Sequence, residues 1–365
     1  MGYRLSILFL VVIILGSCKR DISKAAPSLS SYKKISGKTM GTFYNLTFQE
    51  TGKSISKADI DSILFAINQS VSTYIDSSTI SLINKENELT EKLTLIKNGD
   101  FAEFHAIELP IDTHFIKNYK LSKRIFLESD GAFEPSIMPL VNFWGFGYTP
   151  KKAVSESDPH IVAGILELVG FDKFNLEEND SSMRIIKLPN AELDFSGVAK
   201  GYAVDCLADY LKANNISNLM VDIGGEVFAT GKSPKNNPWR IGLNTPKEDA
   251  GLYEVEHIIN LDGKALASSG NYRNFHVVED KKYGHSINPN TGYPELNDLL
   301  AVSVVAATCA EADAVATSAM ILGLERAYDY VDSYQNLEAC FFFSDEEGGI
   351  QSRFTEGLSI PDINK

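Results

Sequence analysis

With 365 residues, 44% of them hydrophobic and 10% aromatic, the chain has the apolar content for a large core, in one big domain or two lobes, which excludes disorder over most of its length. Its formal charge of −14 argues against nucleic acid as the main partner, because phosphate-backbone binding draws on an excess of Lys and Arg. Any phosphate ligand must therefore be met by a metal ion or by local cations.

Behind Arg4, the segment Leu5 to Leu15 (LSILFLVVIIL) is too short to span a bilayer as a helix but has the length of a signal-peptide core. Leu15-Gly16-Ser17-Cys18 follows at once and resembles the bacterial lipobox, in which cleavage precedes the cysteine and its thiol receives lipid. The expected organisation is a signal peptide over residues 1–17, a lipid-anchored tether over 18–32 and a folded domain over 33–365. A chain so anchored belongs to the bacterial cell envelope, facing the periplasm from the inner membrane. An ordinary signal peptide with an incidental cysteine is the alternative. Cys206, Cys309 and Cys340 lack CxxC spacing and sit among apolar neighbours, which predicts core thiols and no cysteine metal site.

Tyr44, Leu46 and Phe48 alternate with smaller or polar residues, so the domain is predicted to open with a strand entered through Met40-Gly41-Thr42. Ile60, Ile63, Leu64 and Ile67 mark one face of a helix from about Lys57 to Ser70, and Asp76-Ser77-Ser78 a turn beyond it. A helix over Leu121 to Ser129 is expected to stop at Asp130-Gly131. AFEPSIMPLVNFWGFG then reads as loop with aromatic anchors, since Pro135, Pro139 and the surrounding glycines oppose a long regular element. Met183 to Phe195 is strand-like. The helix after Ser196 carries Val198, Tyr202, Cys206 and Tyr210 at intervals of four and ends at Asn214-Asn215. LMVDIGGEVFATG, WRIGLNT, HIINLDG, KALASSG and LLAVSVVAA are strand-like, YGHSINPNTGYP is a loop, and ATCAEADAVATSAMILGLERAYDYV reads as a second long helix. Strands outnumber helices and come in runs, which predicts an α+β fold of antiparallel sheets with packed helices. The GxGxxG turn of a doubly wound dinucleotide fold is missing.

Some stretches concentrate polar groups that a core does not need. In DFSGVAKGYAVD, from Asp194 to Asp205, Ser196 is placed to N-cap the helix, leaving the N–H groups of Gly197, Val198 and Ala199 at the positive end of its dipole. Lys200 adds a charge one turn in and Asp194 an acceptor just outside, which together would make an anion site; a capped helix with a solvated lysine would look the same. On the second long helix, Asp313 and Thr317 are four residues apart and project oxygens from one face. That pair suits Mg²⁺ or Ca²⁺, or is simply a polar spot on a helix. His285 stands in the Gly/Pro/Asn loop, where a general base and a structural histidine are both open readings. ASSGNYRNF adds Ser269, Gly270, Tyr272 and Arg273, the last able to grip phosphate or to pair with a surface carboxylate.

Taken in order, Met40-Gly41-Thr42, Gly131-Ala132-Phe133-Glu134-Pro135, WGFG at 144–147, DFSGVAKGYAVD, DIGGEVFATG, WRIGLNTP, SSGNYRN, GHSINPNTGYP and AEADAVATSAMILG resemble the FAD:protein FMN transferase (ApbE) family, over nearly the whole chain from about Lys33. The resemblance implies a two-lobed, T-fold-like α+β domain. It implies an enzyme that uses a divalent cation, usually Mg²⁺, to move the FMN half of FAD onto a threonine or serine of a target flavoprotein, with AMP leaving. The implied flavin contacts are Met40, Tyr74, Ala132, Phe133, Glu134, Asp194 and Lys200, with His285 near the reacting phosphate. The implied metal site is Asp313 and Thr317 with backbone oxygens near Gly197 and Ala310, and His285 and Asp313 become the catalytic candidates. The acceptor implied carries a D-x-x-[ST]-G-A-[ST]-like site. Within this chain Asp76-Ser77-Ser78-Thr79 continues as Ile80-Ser81, so the acceptor is expected to be another protein. Two further readings use the same site: an FAD pyrophosphatase giving FMN and AMP, and a non-catalytic FAD-binding lipoprotein. The chain departs from the family pattern at Phe195-Ser196, where Leu-Gly is common, at Glu134, which replaces Asp, and at Asn288 in the H-x-x-D-P-x-T-G loop. The usual Asp there either serves the histidine or metal or only shapes the turn.

Overall fold

The computed structural model describes residues 31–85, 88–97, 100–149, 159–247, 254–271, 275–278 and 281–360. Cys18 and the segment around it lie outside the described residues, as do Tyr272 and Arg273. In chain order the elements are β1 (Tyr32–Thr39), β2 (Thr42–Gln49), α1 (Lys57–Val71), α2 (Thr79–Asn84), β3 (Thr90–Lys97), β4 (Asp100–Pro110), α3 (Thr113–Glu128), α4 (Met138–Phe143) and α5 (Pro159–Leu166). There follow β5 (Phe174–Glu178), β6 (Ser182–Lys187), α6 (Ser196–Ala213), β7 (Leu219–Ile223), β8 (Glu226–Thr230), β9 (Trp239–Asn244), β10 (Val255–Leu261) and β11 (Lys264–Gly270). The last are β12 (Phe275–Val278), β13 (Lys281–Gly284), β14 (Leu299–Ala306), α7 (Cys309–Leu322), α8 (Leu324–Asp332), β15 (Glu338–Ser344) and β16 (Ile350–Phe354).

The principal sheet has eight strands in the order β1-β2-β7-β8-β11-β14-β15-β16, and a four-stranded sheet runs β3-β4-β6-β5. Every pairing between these strands is antiparallel, which is the α+β arrangement that the patterning predicts. The central strands are apolar on both faces because both faces are covered. On β14, Val302, Val304 and Ala306 join the core shared with α6 and α7, while Ala301 and Val305 join the core under β9 and β10. β7 and β15 divide in the same way, with Val221 and Phe341 on the helix side and Cys340 and Phe342 opposite. The three described cysteines are free thiols, two of them fully buried.

Several boundaries differ from the sequence-based expectation, each for an identifiable physical reason. Tyr32, assigned to the tether, is the first residue of β1, and its hydroxyl donates to the Lys232 carbonyl at 2.7 Å. β1 and β2 form a hairpin whose two turn residues, Met40 and Gly41, have φ of 48° and 73°, the backbone twist that a two-residue turn needs. α3 begins eight residues before Leu121, because the Asp112 carboxylate accepts the His114 and Phe115 N–H groups at 3.0 Å and caps it early. α4 forms where loop was expected, with Pro139 in its first turn, the place where a missing N–H goes unnoticed. The predicted second long helix is two helices: Gly323, at φ 74°, ends α7 and starts α8.

Candidate functional site

A cavity of about 410 Å³ opens where the α6 N-terminus, α7, the end of β11 and the loops at 132–147 and 285–287 converge. That size lies within the roughly 300–1,000 Å³ usual for small-molecule sites. Of the residues singled out in the sequence, Tyr74, Ala132, Phe133, Glu134, Asp194, Gly197, Lys200, His285, Asp313 and Thr317 all line it. Met40 and Ala310 do not: Met40 forms the β1–β2 turn and packs partly on the core, and Ala310 is 3% exposed in the first turn of α7.

The start of α6 is built differently from the sequence expectation. Ser196 is the first helical residue and does not cap the helix. Its N–H and its hydroxyl both donate to the Asp194 carboxylate, each at 2.8 Å, so the aspartate two residues earlier does the capping. Val198 and Ala199 donate to the Phe195 carbonyl at 3.0 and 2.8 Å, whereas Gly197, which lines the cavity, has no acceptor for its N–H among the described residues. Burial pushes the Asp194 carboxyl up from its ordinary range, against the opposing effect of the two Ser196 donors. Phe195, in place of the usual leucine, is fully buried against Phe115 at 5.4 Å between centroids.

Two glycines on one face of α6 set how closely α7 approaches. A Cβ on Gly201 would overlap the Cys309 carbonyl, and one on Gly197 would come within 3.0 Å of Thr317 Oγ1 and 3.1 Å of Phe133. The close crossing lets the Gly201 N–H donate to Asp313 Oδ2 at 3.0 Å. From the same helix, Asp205 accepts the N–H groups of Cys309 and Ala310 at 2.8 and 2.9 Å, and Thr308 adds the N-cap of α7. Asp313 is 3% exposed and is thereby pinned by one oxygen, with Oδ1 facing Lys200 Nζ at 3.8 Å. Thr317 is also presented rather than used: Ser318 beside it bonds back to the Ala314 carbonyl at 2.8 Å, but the Thr317 hydroxyl makes no hydrogen bond among the described residues.

Lys200 donates to Glu226 Oε1 at 2.5 Å. Burial works to lower the pKa of the Lys200 ammonium, but Asp313 and Glu226 more than offset it and hold it above the usual lysine range. Burial acts on Glu226 in the opposite sense and raises it, with Lys200 opposing. The short N–O distance and the second carboxylate beside Lys200 favour the ion pair as the resting state. Glu226 is the site's main residue that sequence reasoning passed over. Its signal was a carboxylate opening the otherwise apolar strand EVFA directly after two glycines.

The remaining wall is aromatic and looped. His285 packs edge-on to Phe146 at 6.4 Å between centroids, and the Tyr74 hydroxyl donates to the Phe146 carbonyl at 3.5 Å. The Glu134 carboxylate is committed within the protein: it accepts the Ser136 N–H and hydroxyl at 2.8 and 2.7 Å and the Phe171 N–H at 3.2 Å. Asn288 shapes its loop, donating to Glu295 Oε2 at 2.6 Å, accepting the Asn290 N–H at 2.9 Å and exchanging backbone bonds with Gly292 and Tyr293. It does not line the cavity.

Among the described residues no three His, Cys, Asp or Glu side chains gather as a metal cluster. What the cavity offers is one carboxylate oxygen on Asp313, an unengaged Thr317 hydroxyl and the space left by Gly197. This hard, incomplete oxygen set fits a cation such as Mg²⁺, which keeps waters and takes substrate phosphate oxygens in its shell.

The sequence model of the ApbE family matches residues 40–341, a span that includes every element around the cavity. The chain is 32% identical over 304 residues to the FAD:protein FMN transferase of Haemophilus influenzae, covering 82% of this chain and 83% of that one. It is 33% identical over 305 residues to the FAD:protein FMN transferase of Vibrio cholerae, covering 82% and 84%. Among solved structures it is similar to the flavin transferase ApbE from Vibrio cholerae, with a TM-score of 0.75 at 30% identity over 90% of this chain and 98% of that one. Matched in sequence along most of its length and in fold around the cavity, the chain belongs to the ApbE family.

Proposed function

We propose that this chain transfers the FMN moiety of FAD to a threonine or serine hydroxyl of a target flavoprotein, and that Asp313 and Thr317 hold a divalent cation, Mg²⁺ or a near equivalent. The observation that carries the reading is the convergence on one cavity of a cation (Lys200), a free helix N–H (Gly197), an unspent carboxylate oxygen (Asp313) and a histidine (His285). An acidic protein has here assembled the groups that a pyrophosphate requires. A divalent cation bound between Asp313 and Thr317 would offset charge on the pyrophosphate oxygens and ease departure of AMP. Lys200 and the Gly197 N–H meet phosphate oxygens at the helix N-terminus. Ala132 and Phe133 offer an apolar wall to the flavin, and Tyr74 and Asp194 its polar edge. The acceptor oxygen forms a bond to the FMN phosphorus as the bond to the AMP oxygen breaks, and His285 takes the proton of the acceptor hydroxyl.

The test is incubation with FAD and Mg²⁺, with and without a protein bearing a D-x-x-[ST]-G-A-[ST] site, read by intact mass. One FMN gained by the acceptor and lost with Asp313→Ala supports the reading. Free FMN and AMP beside an unmodified acceptor would make the chain a pyrophosphatase, and unchanged FAD a binding protein. We also place the chain on the periplasmic side of a bacterial inner membrane, anchored through lipid on Cys18. The lipobox pattern supports this, and Cys18→Ala should release the protein from the membrane fraction.

A further inference from the structure

We propose that Glu226, which lies behind the cavity wall, is a positioning residue: it holds the Lys200 ammonium off Asp313, so that Asp313 keeps an oxygen for a cation. The inference rests on the reading of Asp313 as a cation ligand. Alternation along β8 puts Glu226 on the same side as Phe228, the side that packs against α6. The Gly224-Gly225 turn, at φ of 66° and 104°, delivers it there, and the residue is 3% exposed.

Lys200 sits between two carboxylates and can neutralise only one at hydrogen-bond distance. It takes Glu226 Oε1 at 2.5 Å and stands 3.8 Å from Asp313 Oδ1. Asp313 Oδ2 is already occupied by the Gly201 N–H, so Oδ1 is the oxygen left for a ligand. Without Glu226 the buried ammonium would need another acceptor, and about 1 Å of side-chain movement puts it on Oδ1 in direct competition with a cation. Glu226 Oε2 has no hydrogen-bond partner among the described residues. A buried carboxylate left half-satisfied costs stability, so Glu226 does little for the core, and its contact with Lys200 points to a role in the site.

The test is Mn²⁺ binding to the purified chain, followed by the loss of the free-ion paramagnetic resonance signal, for the wild type, Glu226→Gln, Glu226→Asp, Asp313→Ala and the double variant Lys200→Met/Glu226→Gln. Glu226→Asp keeps the charge but draws the carboxylate back from Lys200. Positioning therefore predicts that Glu226→Asp and Glu226→Gln both weaken Mn²⁺ binding by about 10- to 100-fold, as lost supporting contacts do at metal sites. The double variant, with no ammonium left to occupy Asp313, should bind at least as tightly as the wild type; weak binding that persisted in it would mean that losing Glu226 disrupts the site by itself, and would overturn the inference. Wild-type affinity in Glu226→Asp with weakening only in Glu226→Gln would reduce the effect to charge and overturn the inference. Wild-type affinity in both, with loss in Asp313→Ala, overturns it while leaving the cation reading intact. Unchanged binding in Asp313→Ala overturns both.

Discussion

Gly201→Ala and Gly164→Ala are the same chemical change on two helices, and the structure predicts opposite signs. At Gly164, within α5, an added Cβ has nothing within 4 Å, so only backbone entropy changes and the variant should gain about 0.5–1 kcal/mol. At Gly201 the added methyl overlaps the Cys309 carbonyl and crowds the Ala310 nitrogen, backbone atoms that cannot rotate away. Overpacking of that kind costs about 1–3 kcal/mol. Forcing α6 from α7 also stretches the Gly201 N–H bond to Asp313 from 3.0 Å, and a hydrogen bond to a charged group is worth about 1.5–3 kcal/mol. After the helix-propensity gain of about 1 kcal/mol, the net loss is about 2–5 kcal/mol. For a folded unit of some 330 residues that corresponds to a fall in Tm of roughly 3–7 °C, measurable by scanning calorimetry on both variants. Because Asp313 moves with α7, Gly201→Ala should also lose FMN transfer at temperatures where it remains folded. A raised Tm for Gly201→Ala, matching Gly164→Ala, would refute the claim that the two glycines on α6 exist to bring α7 close.

Burial pushes the Asp205 carboxyl up to about 6 from 3.8, against the Ala310 and Cys309 N–H donors that favour its charged form. A raised acid binds its proton more tightly in the native state. Its contribution therefore favours folding at low pH and is lost as pH rises from about 4 through about 6, on the order of 3 kcal/mol in all. Across that window the Tm of the wild type should fall relative to Asp205→Asn, and a constant gap between the two would be the wrong result. Asn288→Asp restores the usual family residue but sets a carboxylate 2.6 Å from Glu295. It should cost about 1 kcal/mol, recovered in Asn288→Asp/Glu295→Gln, with urea midpoints of the single and double variants at neutral pH as the check.

Much of the helix-side core could be read from periodicity: α1 buries Ile60, Leu64 and Ile67 and α6 buries Val198 and Tyr202, with Ile63, Cys206 and Tyr210 half-buried at the edges of those faces, and β14 and β7 are the apolar runs that a doubly covered sheet demands. Some misses are local, as at α4 and at Gly323; the others are residues whose role is also set by a partner far along the chain. Asp112 starts α3 early and also accepts the Ser70 and Thr79 hydroxyls at 3.0 and 2.6 Å, contacts that no local window contains. β15 and β16 are absent from the sequence reading, although EACFFFS is as apolar as its neighbours, since its pairing with β14 is visible only once the sheet is assembled. The same holds within the cavity. Lys200, Asp313 and Thr317 stand out because each is polar at an odd place on a helix, and Asp194 because it is a carboxylate just before one. Glu226 does not, because its meaning depends on Lys200, 26 residues away.

The sequence stretch from Asp194 to Asp205 combines a carboxylate, two glycines, a lysine and a second carboxylate, and the fold gives each a task on α7 or in the cavity beside it. Asp194 caps α6, Gly197 and Gly201 admit α7, Lys200 bridges toward Asp313, and Asp205 closes the α7 N-terminus. Gly197, Gly201 and Asp205 are scaffold devices that share α6 with Lys200, the one lysine or arginine among the described residues lining the cavity, and Asp194 sits just before the helix. Their spacing ties catalytic geometry to helix packing: any change that rotates α6 by a few degrees moves the capping, the glycine face and the lysine together. The site should therefore tolerate substitution on the solvent side of α6, at Asp209 or Lys212, while changes at Gly197 or Gly201 disturb binding and stability in the same variant.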